Sequence, residues 1–354
     1  MIERIELRDF KAHAHTVVDL GRLTVLVGPN SGGKTSVLEA LHVAVRGFSG
    51  ELQRHTDAPP VVPDVPHAVR IGCDVARLTL ALDGVTLAGR LSPPAMPGTG
   101  AKPDYFMWNE DSDPDHQLPD IFTPSDYLAP GRSLLARPEV AGMRRRSRFN
   151  DNNSSDNRLS ASASNLAAQI ALLKLTNDEA FTALRNDIRT IVPAVKQLYA
   201  IPRGGDFEIA MDFRGATKVP ATAISEGTLI TLALLTYLYE PDPPTLLLID
   251  DIDRGLHPGA QRELIAILRR LLDRRPELQI VATTHSPYIV EAVDPEDVRV
   301  CALRKDGTVA VKPLLAHPEA HRALEILNAA EFWDAEGEAW VTEIEDTPAE
   351  DTEA

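Results

Sequence analysis

Hydrophobic and polar positions alternate over residues 2–8 in the manner of a strand, and residues 16–20 can pair with them. Leu23–Val27 is instead continuously apolar, as in a strand buried on both faces. From Lys34 to Gly47 the apolar positions Val37, Leu38, Leu41, Val45 and Phe48 fall near helical spacing. Residues 69–75, 78–82 and 85–91 alternate again and are separated by turn signals such as Asp83-Gly84, which predicts an antiparallel meander. Helical spacing returns over 161–175 and 179–199, and Ser225 opens a further helical run through Tyr239. Residues 206–213 and 218–220 read as strands, 245–249 and 279–283 as buried strands, and 259–272 as a helix. A closing hairpin is expected from 298–303 and 309–311 around Asp306-Gly307.

Strands and helices thus alternate in both end portions, which predicts an α/β fold. Between them lie irregular stretches: a Pro/His-rich run at 51–66, a Pro/Asp/Gly-rich run at 92–120 and the polar run DNNSSDN at 151–157. The organisation that follows is an N-terminal lobe over 1–90, an insertion of loops and helices over 91–205, a C-terminal lobe over 206–315 and an acidic tail over 316–354. No internal repeat is evident.

Composition adds constraints. Forty-four per cent of the 354 residues are hydrophobic, ample for a packed core. Two cysteines, Cys73 and Cys301, make no disulfide framework and point to a reducing cytoplasm. The charged start MIERIELRDF lacks the apolar stretch of a secretory signal, and no apolar run is long enough to cross a membrane. The net charge is −16, and removing the ten Asp/Glu of residues 331–354 takes it to −6. Such a balance argues against broad, non-specific duplex binding and leaves room for a local basic groove.

Gly28-Pro29-Asn30-Ser31-Gly32-Gly33-Lys34-Thr35 fits G-x-x-x-x-G-K-[ST] at every position and sits between a buried strand and a helix. Its glycines let backbone N–H groups turn toward a phosphate, Lys34 can reach terminal phosphates, and the Thr35 hydroxyl can sit on Mg²⁺. Leu246–Ile249 is an apolar strand that ends in Asp250 and Asp251; Asp250 is placed to hold Mg²⁺ and Asp251 to polarise water. Lys34 and Asp250 stand 216 positions apart, so a large insertion lies between them. Ser225-Glu226-Gly227-Thr228 opens a helix 25 residues before Asp250, and reads either as a second anion site or as a simple helix cap. His285, in Thr283-Thr284-His285-Ser286-Pro287, follows the third buried strand 35 residues beyond Asp250.

Taken together, the order and spacing of GPNSGGKTS, ISEGT, IDDIDRGLHP and TTHSP resemble the ABC-type ATPase superfamily, in the branch of RecF, SMC heads and OLD-like ATPases. The likeness covers residues 1–50 and about 220–300. It implies an ABC-type P-loop head: a mixed sheet flanked by helices, with a mainly helical and irregular insertion. It implies that Asn30, Ser31, Gly32, Gly33, Lys34, Thr35 and Ser36 bind ATP, that Thr35 and Asp250 hold Mg²⁺, and that Asp251 and His285 position water. Ser225 and Gly227 would face the nucleotide of a second copy, so a homodimer or higher oligomer is implied. Stand-alone ATPases of this kind resemble those of anti-phage defence, which work with a separate effector, often a nuclease. Two other readings stay open: a RecF-like DNA-repair ATPase, and a low-turnover ATP-sensing scaffold.

The family carries Glu where Asp251 stands, one methylene longer, and the shorter side chain implies slow basal hydrolysis. Gln53 and Gln117 are both candidates for the family's Q-loop, and residues 127–132 (YLAPGR) resemble a Pro/Arg element of the branch. Arg144, Arg145, Arg146 and Arg148, with Arg132 and Arg137 upstream, read as a solvated loop or as a nucleic-acid contact. The acidic tail, with Phe332, Trp333 and Trp340, reads as disordered or as a dock for a basic partner. His257 is not at metal-ligand spacing, and no nuclease constellation follows residue 300. The two helical runs at 161–199 show no sustained heptads, which excludes a long coiled-coil arm.

Overall fold

The computed structural model describes residues 1–48, 68–73, 75–82, 85–91, 107–108, 133–149 and 158–343. Two compact units emerge, one from residues 1–130 with 283–354 and one from residues 131–282. The chain enters the first unit as β1 (Ile2–Phe10), β2 (His13–Asp19), β3 (Leu23–Val27) and α1 (Lys34–Phe48), then β4 (Ala76–Leu82), β5 (Val85–Leu91) and β6 (Met107–Trp108). The second unit opens with β7 (Ser133–Ala136), α2 (Val140–Met143), α3 (Leu166–Thr176) and α4 (Asp178–Ile191). It continues with β8 (Val195–Arg203), β9 (Asp206–Phe213), β10 (Ala216–Pro220), α5 (Glu226–Tyr239), β11 (Leu246–Ile249), α6 (Pro258–Arg274) and β12 (Gln279–Thr284). The first unit is completed by α7 (Pro287–Ala292), β13 (Val298–Leu303), β14 (Val309–Pro313), α8 (Ala320–Ala323), α9 (Ala329–Glu336) and α10 (Ala339–Glu343).

In the first unit an antiparallel sheet runs β2-β1-β4-β5-β6. Its register sets Ile5 opposite Val18 and Leu80, and Leu7 opposite Thr16 and Leu78. These apolar residues share one buried face, which α1 covers with Val37, Leu38 and Leu41. Alternation along β1 and β4 is therefore the imprint of a sheet wet on one side. β3 pairs in parallel with β13, which pairs antiparallel with β14, so parallel and antiparallel ladders coexist.

The second unit holds three parallel strands, β7, β11 and β12, with Leu248 opposite both Leu135 and Val281. Every residue of β11 is buried, as its unbroken apolar run predicts. Beside it α5 buries twelve consecutive residues, Gly227 to Leu238, because its sequence is apolar on all sides. A separate antiparallel sheet, β10-β9-β8, carries α3. Asp187 of α4 is buried; its carboxylate accepts from the Tyr239 hydroxyl (2.5 Å) and Arg270 Nη2 (2.6 Å), linking α4, α5 and α6. Burial and the bond to Asp187 push the Tyr239 hydroxyl far above its ordinary range, so it remains a neutral donor.

Three expectations change. The helix read over 179–199 ends at Ile191, because Pro193 has no N–H to continue it, and Val195–Arg203 is a strand. The described residues of 69–75 form no strand of their own and contribute a bridge from Val69 to Phe10. The described part of the acidic tail is folded: Asn328 and Glu331 form a reciprocal capping box at α9, and Phe332 and Trp340 are buried around His317. No helix among the described residues is long and apolar enough to cross a membrane.

Candidate functional site

The loop from Gly28 to Lys34 leaves β3, whose five residues are all buried, and enters α1. Gly28 has φ of 144°, and a Cβ there would lie 2.2 Å from the Cys301 carbonyl oxygen. At Gly33, φ is 79°, and a Cβ would meet Val309 Cγ2 at 2.7 Å and His13 Nε2 at 2.9 Å. Backbone geometry and close packing therefore both demand glycine at these two places. Ser31 also takes a positive φ, 66°, so the loop curls tightly between them. Lys34 is 5% exposed and its Nζ donates to the carbonyls of Gly28 (2.9 Å) and Pro29 (2.8 Å). Both of these partners are neutral carbonyl dipoles that fix the ammonium over the loop. Thr35 and Ser36 follow in a first helical turn that contains no acidic residue, and Asn30 and Ser31 are exposed on the loop. A curled glycine loop, a positive helix end and a buried ammonium suit a phosphate.

His13 lies behind this loop and was missed by the sequence reading. It is fully buried, with Nε2 3.2 Å from the Gly33 carbonyl and Nδ1 3.0 Å from Thr16 Oγ1. A carbonyl only accepts, so Nε2 carries the proton. Burial, aided by the Lys11 charge and opposed by the Gly33 bond, lowers its pKa to about 4. Cys301, on the other side of the loop, is pushed up to about 12 by burial and is an inert thiol.

In the second unit β11 delivers Asp250 and Asp251. Asp251 sits at φ of 52°, a region Asp tolerates better than Glu. The chain then turns through Arg254 N–H to the Asp251 carbonyl (2.9 Å) and Leu256 N–H to the Asp253 carbonyl (3.0 Å). His257 ends the turn as the cap of α6, its Nδ1 accepting from Gly259 N–H, which accounts for its place before Pro258. β7 and β11 run in parallel register, Ala136 beside Ile249, so residues just beyond both strands flank one opening. That opening, about 260 Å³, is lined by Arg137, Glu139, Asp250, Asp251 and Arg254 over a floor of Ile230 and Ile249. Arg137 and Glu139 were not singled out for this place; the short apolar run SLLA before them was the available signal.

Ser225 caps α5: its Oγ lies 2.7 Å from Thr228 Oγ1 and accepts from Thr228 N–H at 3.4 Å. The helix-cap reading of this serine thus has a geometric basis. Gly227 meets the turn after β11 so closely that a Cβ would lie 1.9 Å from the Gly255 carbonyl oxygen. Glu226 and Arg254 pair across the same contact at 2.7 Å. The ISEGT and IDDIDRG segments are therefore brought together within this unit. His285, exposed in the first unit, follows β12; Thr284 Oγ1 accepts from Ser286 N–H (2.9 Å), and Ser286 Oγ caps α7 through Tyr288 N–H (3.3 Å). These bonds fix the backbone on both sides of the imidazole.

The arginine cluster is largely engaged. Arg146 pairs with Glu208 at 3.6 Å, Arg148 with Asp206 at 3.0 Å, and Arg144 donates to the Ile224 carbonyl at 3.4 Å. Gln53, Gln117 and the 127–132 element lie outside the described residues, as do 151–157 and 344–354. Among the described residues no group of three or more His, Cys, Asp or Glu could hold a metal ion by itself.

Comparison with known proteins bears on the whole chain. The family described as "AAA domain, putative AbiEii toxin, Type IV TA system" matches residues 108–291, and the family described as "AAA ATPase domain" matches residues 1–48. The chain is 38% identical over 69 residues to the Septu protein PtuA of Bacillus thuringiensis, a match spanning 20% of this chain and only 17% of that protein. In fold it resembles an SmcHead bound to the C-winged helix domain of ScpA, with a TM-score of 0.61 at 16% identity, over 92% of this chain and 99% of that one. It also resembles the Pyrococcus furiosus Smc head domain with an extended coiled coil, bound to the C-terminal domain of ScpA, with a TM-score of 0.56 at 15% identity, over 92% and 98%. Matched over more than half its length and built on the SMC-head fold, the chain belongs to this AAA family of P-loop ATPases.

Proposed function

We propose that this protein binds and hydrolyses ATP with Mg²⁺ as a nucleotide-dependent dimer, and that the cycle switches a separate effector in anti-phage defence. The observation that carries the nucleotide site is the glycine loop between β3 and α1, held against Cys301, Val309 and His13, with the Lys34 ammonium buried across it. In this reading Lys34 and the loop amides of Asn30 to Ser36 bind phosphates. Thr35 offers a hydroxyl and Asp250 a carboxylate to Mg²⁺, which when bound neutralises phosphate charge. Asp251 and His285 orient the attacking water, and Ser225 and Gly227 act on the nucleotide of the second copy. Support for the defence role comes from the local likeness to PtuA.

One observation favours slow turnover. Asp251 occupies a left-handed backbone position that suits its short side chain, and that side chain ends roughly 1.5 Å short of where a glutamate would reach. The ATP-sensing scaffold is the limit of this reading, with binding intact and hydrolysis nearly silent. Nucleotide binding and steady-state hydrolysis in wild type, Lys34→Ala and Asp251→Asn test the proposal. Lys34→Ala is expected to lose binding, and Asp251→Asn to bind ATP, stop hydrolysis and accumulate dimer. Unchanged ATP binding in Lys34→Ala would sink the nucleotide site, and a monomeric Asp251→Asn–ATP complex would sink the dimer.

A further inference from the structure

A separate basic cleft lies in the second unit, where the C-terminal end of α4, the start of β8 and the β9–β10 turn meet. Its volume is about 470 Å³, a size that accepts a ligand rather than a single water. Arg189, Lys196 and Arg214 line it, with Asn186 and Thr190 between them, and no Asp or Glu contributes to the lining. All three cations are exposed, and among the described residues none of them forms an ion pair. Asp212 is the nearby acid felt by Lys196; its carboxylate accepts from the Tyr199 hydroxyl and from Lys218 N–H, both at 2.7 Å, neutral donors that hold it in place and keep it charged. Elsewhere on the same sheet the arginines are matched: Glu208 takes Arg146 and Arg203, and Asp206 takes Arg148. The contrast matters in a chain of net charge −16, where acids are plentiful: among the described residues Arg189 and Arg214 have no carboxylate partner, and Lys196 has Asp212 nearby without a direct ion pair.

We propose that this cleft binds the phosphodiester backbone of nucleic acid. Guanidinium groups match phosphate oxygens two at a time, and Thr190 and Asn186 supply neutral donors of the kind that position a backbone. Only Pro193 and Val195 add apolar surface, which gives an acidic polypeptide little to anchor on. Backbone contacts carry no sequence information, so recognition is expected to be sequence-independent. The site differs from the arginine run at 144–148, whose Arg146 and Arg148 are already spent on carboxylates.

Fluorescence anisotropy of labelled duplex DNA, single-stranded DNA and duplex RNA with the full chain, without nucleotide, tests this. Three phosphate contacts give a log–log salt slope of about −2.7 on duplex DNA, so affinity falls roughly 40-fold between about 50 and 200 mM salt. Each of Arg189→Gln, Lys196→Gln and Arg214→Gln is expected to reduce that fall to roughly 12-fold. Arg146→Gln/Arg148→Gln and Lys34→Ala are expected to keep the wild-type slope. A thermal melt at the wild-type midpoint establishes that each variant is folded. The proposal is overturned by a folded triple variant with the wild-type slope, by absence of binding to all three nucleic acids at about 50 mM salt, or by displacement of the label by polyglutamate as readily as by unlabelled DNA. Loss of binding in Lys34→Ala with the triple variant unaffected would move the contact to the nucleotide loop and equally overturn it.

Discussion

His13 couples the P-loop to pH in a way that can be worked from the structure. Its imidazole is buried between Gly33 and Thr16, and Thr16 Oγ1 also lies 3.1 Å from the Val309 carbonyl. A protonated ring would donate to Gly33 and Thr16 at once, so hydrogen bonding does not oppose the charge; burial does. The folded pKa of about 4 lies below the ordinary 6.5. Between those values the unfolded chain takes up a proton that the folded chain refuses. Stability is therefore fully present above about pH 6.5 and is lost as pH falls toward about 4. The loss reaches roughly 2 kcal/mol at about pH 5 and levels off near about 3 kcal/mol below about pH 4. His13→Gln keeps a donor for the Gly33 carbonyl and cannot titrate. Urea unfolding of both chains at about pH 7.5 and pH 5 measures the difference. Wild type is expected to lose about 2 kcal/mol more than the variant over that interval. Parallel losses would refute the assignment, because every other titrating group is common to both chains.

Three further outcomes follow from the site and its supports. Gly227→Ala forces a Cβ against the Gly255 carbonyl and shifts the turn that carries Asp251, so a loss of about 1–3 kcal/mol and a drop in ATPase rate on the order of 100-fold are expected from melting and turnover assays. Wild-type rates in that variant would mean the turn has no part in hydrolysis. Asp251→Glu is expected to raise basal turnover by on the order of 10- to 100-fold while costing about 1 kcal/mol for a longer side chain at positive φ. Equal partner-free rates would show that carboxylate reach does not limit the reaction. Asp187→Ala strands the Tyr239 hydroxyl and one side of Arg270; since Arg270 is 42% exposed and can turn to water, about 2 kcal/mol of destabilisation is expected, with Asp187→Asn losing less. A melt unchanged in Asp187→Ala would show that the α4–α5–α6 linkage is idle.

What was legible in the sequence is what one segment dictates alone. β3 and β11 are buried on every side and read as unbroken apolar runs, while the glycines and Lys34 of the P-loop stand in a fixed local pattern. The misreadings came where a neighbour in space overrules the local signal. Residues 179–199 look continuously helical until Pro193 is weighted as a stop, after which β8 finds its partner in β9. His13 and His15 sit at strand spacing on β2, yet the first is buried against Gly33 and Thr16 and the second is exposed beside Glu6, a distinction that the tertiary neighbours impose. The acidic run at 331–343 looks too charged to pack, but Phe332 and Trp340 bury while Glu331, Asp334, Glu336 and Glu343 are exposed, and Asn328 and Glu331 cap α9.

The same principle changes the weight of the ISEGT motif. In the sequence, Ser225 and Gly227 counted together toward a second copy of the chain. In the structure Gly227 is required by Gly255 in the turn after β11 of the same chain, and Ser225 Oγ is already 2.7 Å from Thr228 Oγ1 as the cap of its own helix. A glycine that its own fold demands says little about a partner. The Ser225 hydroxyl can keep accepting from Thr228 N–H while its own proton turns from Thr228 Oγ1 to a phosphate oxygen, so the cap and a phosphate contact are compatible. The dimer therefore rests on whether that proton is given to the nucleotide of a second copy, while removal of the hydroxyl loses the cap at a cost of about 1 kcal/mol. Ser225→Ala should accordingly lower stability by about 1 kcal/mol with or without nucleotide, and should weaken assembly only when ATP is present. Equal assembly with ATP in wild type and Ser225→Ala would leave the motif as architecture alone.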